Sequence, residues 1–234
     1  MLNFLNRFGI VVTRLRNVDP EQRMNVVLQR MLSGVDLVVD VGANSGQTYT
    51  RVRNLGYSGR YLAIEPESKS FQQLALMKQN DNKLFCVNKA IGKQIGTVVL
   101  NVANNDSLSS SLLNFSEGHL RAAPGIKMVS KQEVLMVPLS LILDEYVDRS
   151  IFLKIDVQGL ELGVLQGVID RDWVRISGLL IECNLVATYE GSALVEEVIA
   201  FLRQRSLTPF RIENGFGEVN FGQQLQVDVL FKNS

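Results

Sequence analysis

The sequence carries no excess of charge of either sign and no long apolar run. Lysine plus arginine equal aspartate plus glutamate, at 24 residues each. This balance gives no support for a nucleic acid or a strongly acidic molecule as the partner, so we expect no nucleic-acid binding. No apolar run approaches the roughly 20 residues needed to cross a bilayer, and we expect no transmembrane segment.

Cysteine and histidine are also scarce. The two cysteines, Cys86 and Cys183, fall inside predicted strands and lack the CxxC spacing of a metal or redox pair. We interpret them as small core residues of a protein in a reducing, cytoplasmic compartment. The single histidine, His119, is the only side chain whose unperturbed pKa suits proton transfer near neutral pH.

The first 35 residues are predicted to form a helical extension. Residues 1–17 lack the small-residue cleavage site of a signal peptide, and their apolar residues recur at helical spacing. Two interpretations stay open: an interfacial helix, or a helix that packs on the domain or on a second subunit of a homodimer. A second, amphipathic helix is predicted over residues 20–32, with Asp19 and Pro20 at its start.

Residues 37–65 predict a ligand-binding edge of a parallel sheet. The run Leu37–Val39 is short, apolar and β-branched and leads into Asp40, as a buried parallel strand does where it leaves the core. Ligands bind at this carboxyl edge in open α/β sheets. Gly42 and Gly46 allow a sharp turn and a close approach to a ligand before a helix that begins near Gln47.

The spacing of these glycines indicates which ligand binds. The chain has two glycines in a GxxxG arrangement, whereas a dinucleotide-binding turn has three in GxGxxG. Glu65 follows the predicted strand 61–64, where a carboxylate can accept hydrogen bonds from both hydroxyls of a ribose. A ligand with a ribose and no phosphate fits best. S-adenosylmethionine is such a ligand, and its amino-acid end would lie against Asp40 and the turn at Asn44 and Ser45.

The next segments are predicted to add polar groups at the same edge. Asn88 follows a third strand at 83–87, and its polar side chain is expected to recognise the adenine of the ligand. An extra strand at 97–103 precedes residues 104–133, which we interpret as a lid or insertion because residues 104–131 are rich in serine, asparagine and glycine. Ser107 offers a hydroxyl there. His119 lies in the same segment and is either a catalytic group or a solvated loop residue.

A second motif brings acidic residues to this edge. The predicted strand 151–155 delivers Asp156, and Lys154 lies on the same side of the strand because side chains alternate. Glu182 stands near the end of the next predicted strand, 178–183. Two such acids can orient an acceptor hydroxyl, take its proton or bind a divalent cation, and the metal stays open. The alternative is a purely structural Lys154–Asp156 pair.

The alternation of strands and helices predicts an α/β fold. Strands and helices alternate up to residue 205, and a strand pair follows at 210–212 and 226–231. We therefore expect a doubly wound, mainly parallel, seven-stranded sheet whose last strands are antiparallel. The catalytic domain would extend over residues 36–234, with an inserted strand and loop.

At these motifs the sequence resembles the FkbM-type S-adenosylmethionine-dependent methyltransferases. The resemblance covers residues 37 to about 185 and implies a class I, Rossmann-like methyltransferase that methylates a hydroxyl of a sugar, glycan or polyketide-like molecule. It assigns the cofactor turn to Asp40, Gly42, Asn44 and Gly46, and the ribose carboxylate to Glu65. The motifs that carry it are VVDVGANSGQ at 38–47, AIEPE at 63–67, NKAIG at 88–92, VPLSLILDEYV at 137–147, KIDVQGLELGVLQG at 154–167 and LLIEC at 179–183.

One residue departs from the family pattern. The resemblance assigns the second motif to Lys154, Asp156, Gly159 and Glu161, but the family usually has glutamate where this chain has Gln158. One alternative is therefore a catalytically inactive relative that still binds the cofactor. A second alternative, from another class, is an NAD-type oxidoreductase. The missing third glycine disfavours the oxidoreductase.

Overall fold

The computed structural model describes residues 20–218 and 222–233. The helix predicted over residues 1–17 lies outside these ranges. The described strands are β1 (Leu37–Val41), β2 (Arg60–Ile64), β3 (Leu84–Val87), β4 (Ala90–Ile91), β5 (Gly96–Ala103), β6 (Met128–Val137), β7 (Ile151–Ile155), β8 (Ile176–Asn184), β9 (Leu207–Asn214) and β10 (Gln226–Asn233). The described helices are α1 (Pro20–Met31), α2 (Gln47–Asn54), α3 (Ser68–Lys78), α4 (Glu117–Ala122), α5 (Leu139–Leu143), α6 (Glu161–Gln166), α7 (Asp170–Trp173) and α8 (Val195–Arg203).

The main sheet has seven strands in the order β3-β2-β1-β7-β8-β10-β9. The pairs from β3 to β8 are parallel, whereas β10 is antiparallel to both β8 and β9. The chain first builds outward from β1 to β3 and then returns to place β7 on the other side of β1. This confirms the doubly wound α/β fold, and the strand order reverses between β1 and β7.

Alternating side chains of the parallel strands fill a core on each face of the sheet. Val39 and Leu153 belong to one buried cluster, and their neighbours Val38 and Phe152 belong to the other. Both faces are therefore covered, as the near-continuous apolar strands predict. Each fully buried side chain of this size contributes about 1.5–3 kcal/mol of hydrophobic free energy.

Helix α1 packs on the second of these clusters. Met24 and Leu28 are buried there together with Leu180 and Leu230 of the sheet. The predicted amphipathic helix at 20–32 is confirmed, and it lies on the sheet. Within the described residues, every helix is too short or too polar to span a bilayer.

A second sheet of three strands, in the order β4-β6-β5, lies after β3. Strand β5 confirms the extra strand predicted at 97–103. The sequence of residues 134–140 predicts an edge strand there, but β6 begins earlier, at Met128 inside the predicted lid, and ends at Val137 before Pro138. Its early residues are largely exposed and polar, so they show no apolar pattern, and Pro138 has no N–H to extend the pairing.

Two smaller differences concern helices. From its residue type alone, Ser68 is the expected cap of the helix after β2, but the carboxylate of Glu67 accepts hydrogen bonds from the N–H groups of Lys69 and Ser70 instead. The segment 104–131, predicted without periodic structure, contains the short helix α4, which Ser116 caps. A single turn and a half of helix is too short to produce a recognisable period in the sequence.

Candidate functional site

A cavity of about 190 Å³, here the first cavity, lies where the strand order reverses. It opens at the carboxyl ends of β1, β2 and β7, the position at which ligands bind in doubly wound sheets. Its wall combines the turn after β1, the end of β2, the segment after β3, the loop after β5 and the turn after β7. Residues of these five segments in the wall include Gly42, Asn44, Glu65, Lys89, Ala90, Ile91, Ser107, Ser111, Lys154, Asp156 and Gln158.

Glu65 holds the turn after β1 against the end of β2. Its Oε2 accepts a hydrogen bond from the N–H of Asn44 at 2.7 Å, and its Oε1 accepts one from the N–H of Glu67 at 2.8 Å. Burial raises the pKa of Glu65 to about 7, although these two N–H donors oppose the rise. Each carboxylate oxygen keeps a second lone pair, so Glu65 can also accept hydrogen bonds from ligand hydroxyls in the cavity.

Gly42 brings the ends of β1 and β7 into direct contact. A Cβ atom on Gly42 would lie 1.8 Å from the carbonyl oxygen of Asp156, and the φ angle of Gly42 is 80°. Only glycine fits both conditions. Gly42 therefore allows the two backbone segments to touch. This contact places Asp156 beside the turn after β1.

Lys154 is the buried cation of the site. Its Nζ lies 3.0 Å from Oδ1 of Asp40 and 3.5 Å from Oδ2 of Asp156, and it donates to the carbonyl oxygen of Gly42 at 3.0 Å. Burial alone would lower the pKa of Lys154, but attraction by Asp40 and Asp156 outweighs burial and raises it. The ammonium stays charged and fixes one oxygen of Asp156.

Gln158 joins the two acids of the second motif. Its Nε2 donates to Oδ1 of Asp156 at 2.6 Å and to Oε2 of Glu182 at 2.9 Å. Its Oε1 accepts from the hydroxyl of Tyr189 at 2.6 Å. The residue that departs from the family pattern is thus a neutral bridge between Asp156 and Glu182.

Some of the predicted cofactor residues line the first cavity and others do not. Gly42, Asn44, Glu65 and Ser107 line it, as expected for residues that contact a ligand. Ser45 and Gly46 do not line it. The φ angle of Gly46 is 91°, and a Cβ atom there would lie 2.8 Å from Sδ of Met77, so this glycine allows the turn to pack on α3.

Asp40 and Asn88 act on other protein groups. Asp40 is fully buried and accepts a hydrogen bond from the Tyr61 hydroxyl at 2.6 Å, besides its ion pair with Lys154. Asn88 donates to the carbonyl oxygens of Glu65 and Pro66. Asp40 is too deeply buried for the predicted direct contact with a ligand and instead supports residues that line the cavity. Asn88 is exposed, and its contact with the ligand stays a prediction.

A second cavity, of about 240 Å³, adjoins the first. The two cavities share Leu108, Asp156 and Gln158 in their walls. The other side of the second cavity is formed by loop residues, an aromatic ring and polar groups of the sheet: Asn105, Ser109, His119, Ala123, Glu182, Phe216 and Gln226. Asp156 is thus accessible from both cavities.

His119 is a buried wall residue of the second cavity. Only 3% of it is exposed, and its ring packs within 5.3 Å, centroid to centroid, of Phe115, Tyr189 and Phe216. Its Nδ1 has no hydrogen-bond partner among the described residues. Burial lowers the pKa of His119, so the ring is neutral near pH 7. The solvated loop histidine of the alternative interpretation is wrong, because α4 folds the ring inward.

Burial dominates the electrostatics around Glu182. It raises the pKa of Glu182 well above its usual value, and the nearby charge of Asp156 adds to the rise. Asp228 stands opposite Glu182 in the β8–β10 register, and burial raises its pKa to about 6. Gln226 donates to Oε2 of Glu182 at 2.8 Å. Because both amides bond Oε2, a proton on Glu182 belongs on Oε1.

Among the described residues, no group of three or more histidine, cysteine, aspartate or glutamate side chains is placed to hold a metal ion. The divalent metal therefore stays an untested prediction. A comparison with family models gives a match to the FkbM methyltransferase domain over residues 40–207. The chain belongs to this family of S-adenosylmethionine-dependent methyltransferases. A comparison with curated proteins gave no match.

Solved structures share the fold of this FkbM-family chain. It is similar to an FkbM methyltransferase from Methylobacillus flagellatus KT, with 15% identity and a TM-score of 0.53 over 83% of this chain and 43% of the other. The chain thus spans less than half of that protein. It is also similar to TehB from Haemophilus influenzae, with 9% identity and a TM-score of 0.50 over 99% and 66% of the two chains.

An rRNA methylase from Streptococcus thermophilus is a third similar structure, with 11% identity and a TM-score of 0.48 over 93% of this chain and 98% of the other. The expected lack of a nucleic-acid partner has no support from these comparisons. It stays a prediction, together with the cytoplasmic location, the homodimer and the domain boundary at residue 35.

Sequence reasoning missed several residues of this FkbM-family site. Tyr189 donates to the side-chain amide of Gln158, Gln226 donates to Glu182, and Ser111 donates to the carbonyl oxygen of Gln158 at 2.6 Å. Their positions depend on contacts between distant segments. Gln226 alone gave a signal, since it is a polar residue at the start of a strand whose residues 227–231 are mainly apolar.

Proposed function

We propose that the protein transfers the methyl group of S-adenosylmethionine to a hydroxyl of a sugar, glycan or polyketide-like small molecule. The cofactor binds in the first cavity and the acceptor in the second. The observation that carries this proposal is the shared wall of the two cavities, where Asp156 is accessible from both. A donor and an acceptor on either side of this wall would meet next to a carboxylate.

The residues of the first cavity fit the cofactor. The buried carboxyl of Glu65 has free lone pairs for the ribose hydroxyls, and its pKa of about 7 is expected to fall when those hydroxyls donate to it. Ala90 and Ile91 give an apolar wall for an adenine ring. When bound, S-adenosylmethionine supplies an electrophilic methyl group on a sulfonium. The protein's own part is to align the acceptor and to receive its proton.

Asp156 is the group that we propose receives this proton. As the new bond from the acceptor oxygen to the methyl carbon forms and the carbon–sulfur bond breaks, the acceptor hydroxyl gives its proton to the Asp156 carboxylate. Lys154 and Gln158 each hold one oxygen of Asp156, so its orientation is fixed before the acceptor binds. General-base groups of this kind contribute about 10²–10⁴-fold to a rate.

The second cavity favours a neutral hydroxylated acceptor. Its polar side chains, Asn105, Ser109, Gln226 and Glu182, offer both donors and acceptors, and Phe216 offers an aromatic face. A sugar-like ring combines hydroxyls at its edge with C–H groups on its face and can use both. His119 has a free acceptor on Nδ1 if the proton is on Nε2, and we propose that it bonds an acceptor hydroxyl.

Calorimetric titration with S-adenosylhomocysteine and with NAD tests the cofactor assignment. We expect S-adenosylhomocysteine to bind and NAD not to bind; the reverse result would indicate an oxidoreductase. Hydroxylated metabolites and glycans are then screened for uptake of labelled methyl groups, with and without magnesium. Binding of S-adenosylhomocysteine without uptake by any hydroxylated acceptor would favour the inactive relative.

A further inference from the structure

The Gln158 amide occupies a point between two carboxylates. One atom, Nε2, lies 2.6 Å from an oxygen of Asp156 and 2.9 Å from an oxygen of Glu182. Divalent cations such as Ca²⁺ bind carboxylate oxygens at about 2.3–2.6 Å. The two oxygens therefore converge on a point where a cation could be held, and the uncharged NH₂ of the Gln158 amide fills this point.

The backbone and side chain of Gln158 are fixed from several directions. Its φ angle is 57°, a left-handed conformation that is unfavourable for a residue with a side chain. Ser111 donates to its carbonyl oxygen, and Tyr189 donates to its Oε1. Because two carboxylates face one end of the amide, this end must be the NH₂ group, which has one proton for each.

The turn that carries Gln158 is itself built around a buried acid. Oε1 of Glu161 accepts from the N–H of Val157 at 3.2 Å and from the N–H of Gly159 at 3.0 Å. The side chain of Gln158 thus starts from a turn whose backbone is fixed on both sides. The hydrogen bonds of the Gln158 side chain are therefore supported by a fixed backbone turn.

We propose that Gln158 is a positioning residue that replaces a divalent cation, so that the Asp156–Glu182 pair works without metal. The amide satisfies Oδ1 of Asp156 and Oε2 of Glu182 without adding charge, and Lys154 supplies the only positive charge that touches Asp156 among the described residues. A glutamate at 158 would place a third carboxylate at this point. The site would then need a cation to offset the repulsion among three acids.

This inference deepens the proposed function, because it describes how Asp156 is held for proton transfer. It is tested by manganese binding, followed by electron paramagnetic resonance of free Mn²⁺ in full-length, chelator-treated protein. We expect no stoichiometric Mn²⁺ on the wild type, and one Mn²⁺ per chain on Gln158→Glu, bound at least tenfold more tightly than on the wild type.

Gln226→Glu is the matched control. Gln226 also donates to Oε2 of Glu182, but its other partner is Asn184, so the variant adds the same charge without facing Asp156. We expect it to bind Mn²⁺ no more tightly than the wild type. Equal gains in both variants would show that added charge alone attracts the ion, and they would overturn the inference.

Wild-type protein decides the question if Gln158→Glu does not fold. One-to-one Mn²⁺ binding to the wild type that Glu182→Gln abolishes would overturn the inference. An unchanged Mn²⁺ signal and an unchanged melting temperature with Mn²⁺ would uphold it. Each sample is also titrated with S-adenosylhomocysteine: a wild type that fails to bind this ligand contradicts the proposed function, whereas the manganese comparison decides on Gln158.

Discussion

The two cavities that meet at Asp156 are held together in different ways. In the first cavity, two charged side chains bond to the backbone: Glu65 accepts from two backbone N–H groups, one of them 21 residues away, at Asn44, and Lys154, besides its ion pairs, donates to the carbonyl oxygen of Gly42. In the second cavity, side chains bond to side chains: Gln158, Gln226 and Tyr189 join partners that lie 24 to 44 residues apart in the chain. The first cavity, the proposed cofactor side, is therefore set by the fold, and the second cavity, the proposed acceptor side, is set by residue identity.

This difference indicates which of the two cavities can change in sequence and keep its structure. A backbone donor is present whatever residue stands at that position, so the first cavity tolerates many sequences with the same turn. A chain of side-chain hydrogen bonds fails when one member changes, because a buried polar group then loses its partner. The acceptor side is thus where members of one fold can take up different substrates.

The largest expected effect is on turnover. Asp156→Asn keeps the size of the side chain but removes the carboxylate that both cavities share. We expect labelled methyl transfer to fall by about 10²–10⁴-fold, with the affinity for S-adenosylhomocysteine changed less than about threefold, roughly 0.6 kcal/mol. Wild-type turnover in this variant would contradict the assignment of Asp156 as the base. A loss of affinity for S-adenosylhomocysteine would show that the two cavities do not act independently.

Gly42→Ala tests the backbone contact that defines the cofactor side. A Cβ atom at Gly42 would strike the carbonyl oxygen of Asp156, whereas Gly34 has a similar φ angle, 78°, and open space around it. We expect Gly34→Ala to cost about 1 kcal/mol in the free energy of unfolding and Gly42→Ala about 3 kcal/mol or more, because the clash adds to the backbone strain. Chemical denaturation measures both, and equal losses would contradict the contact.

Glu161→Gln tests how a buried acid affects the turn on the acceptor side. Burial raises the pKa of Glu161 to about 7 from an ordinary value of 4.5, so the folded state binds a proton more tightly than the unfolded state. The free energy of unfolding should therefore fall as the pH rises from about 4.5 to about 7, by up to about 3 kcal/mol.

Glutamine in place of Glu161 can still accept the N–H groups of Val157 and Gly159, but it does not ionise. We expect the variant to gain stability relative to the wild type at pH 8 and to lose this advantage at pH 4.5. Denaturation curves at the two pH values measure the difference. A difference between variant and wild type that does not change with pH would mean that Glu161 titrates normally.

The smallest effect is expected for His119→Phe. Phenylalanine keeps the ring contacts with Phe115, Tyr189 and Phe216 but removes the unpartnered Nδ1. We expect the KM for the acceptor to rise about fivefold, because the variant loses one hydrogen bond that contributes about 1 kcal/mol. The affinity for S-adenosylhomocysteine should not change. A loss of kcat of two orders of magnitude at constant KM would instead make His119 the base.

The cofactor side could be predicted from the sequence to a large extent. The strand ending at Val41, the turn with Gly42 and Gly46, and Glu65 after β2 are local patterns whose spacing alone predicts a parallel sheet edge. The pairing of Lys154 with Asp156 followed from the alternation of side chains in β7, and the ion pair confirms it. What the sequence could not show was that Asp40 faces Tyr61 and Lys154 behind the cavity.

The acceptor side could be predicted only in part. Glu182 and Asp156 were expected at neighbouring strand ends. The Gln158 amide between these two acids and the Gln226 amide beside Glu182 depend on pairing between distant segments of the chain. His119 was placed in a loop because helix α4 has six residues and no periodic pattern. Contacts of this kind are set by packing of distant segments, which a single sequence does not encode locally.

The insertion of β10 between β8 and β9 has a consequence for how the protein is made. β10 brings Gln226 and Asp228 next to Glu182, although these residues are synthesised more than forty positions later. A nascent chain emerges from its N-terminus, so the turn after β1 and Glu65 can form long before this strand leaves the ribosome. All segments of the first cavity, up to residue 160, are therefore synthesised before β10, and the contact of Gln226 with Glu182 can form only after them.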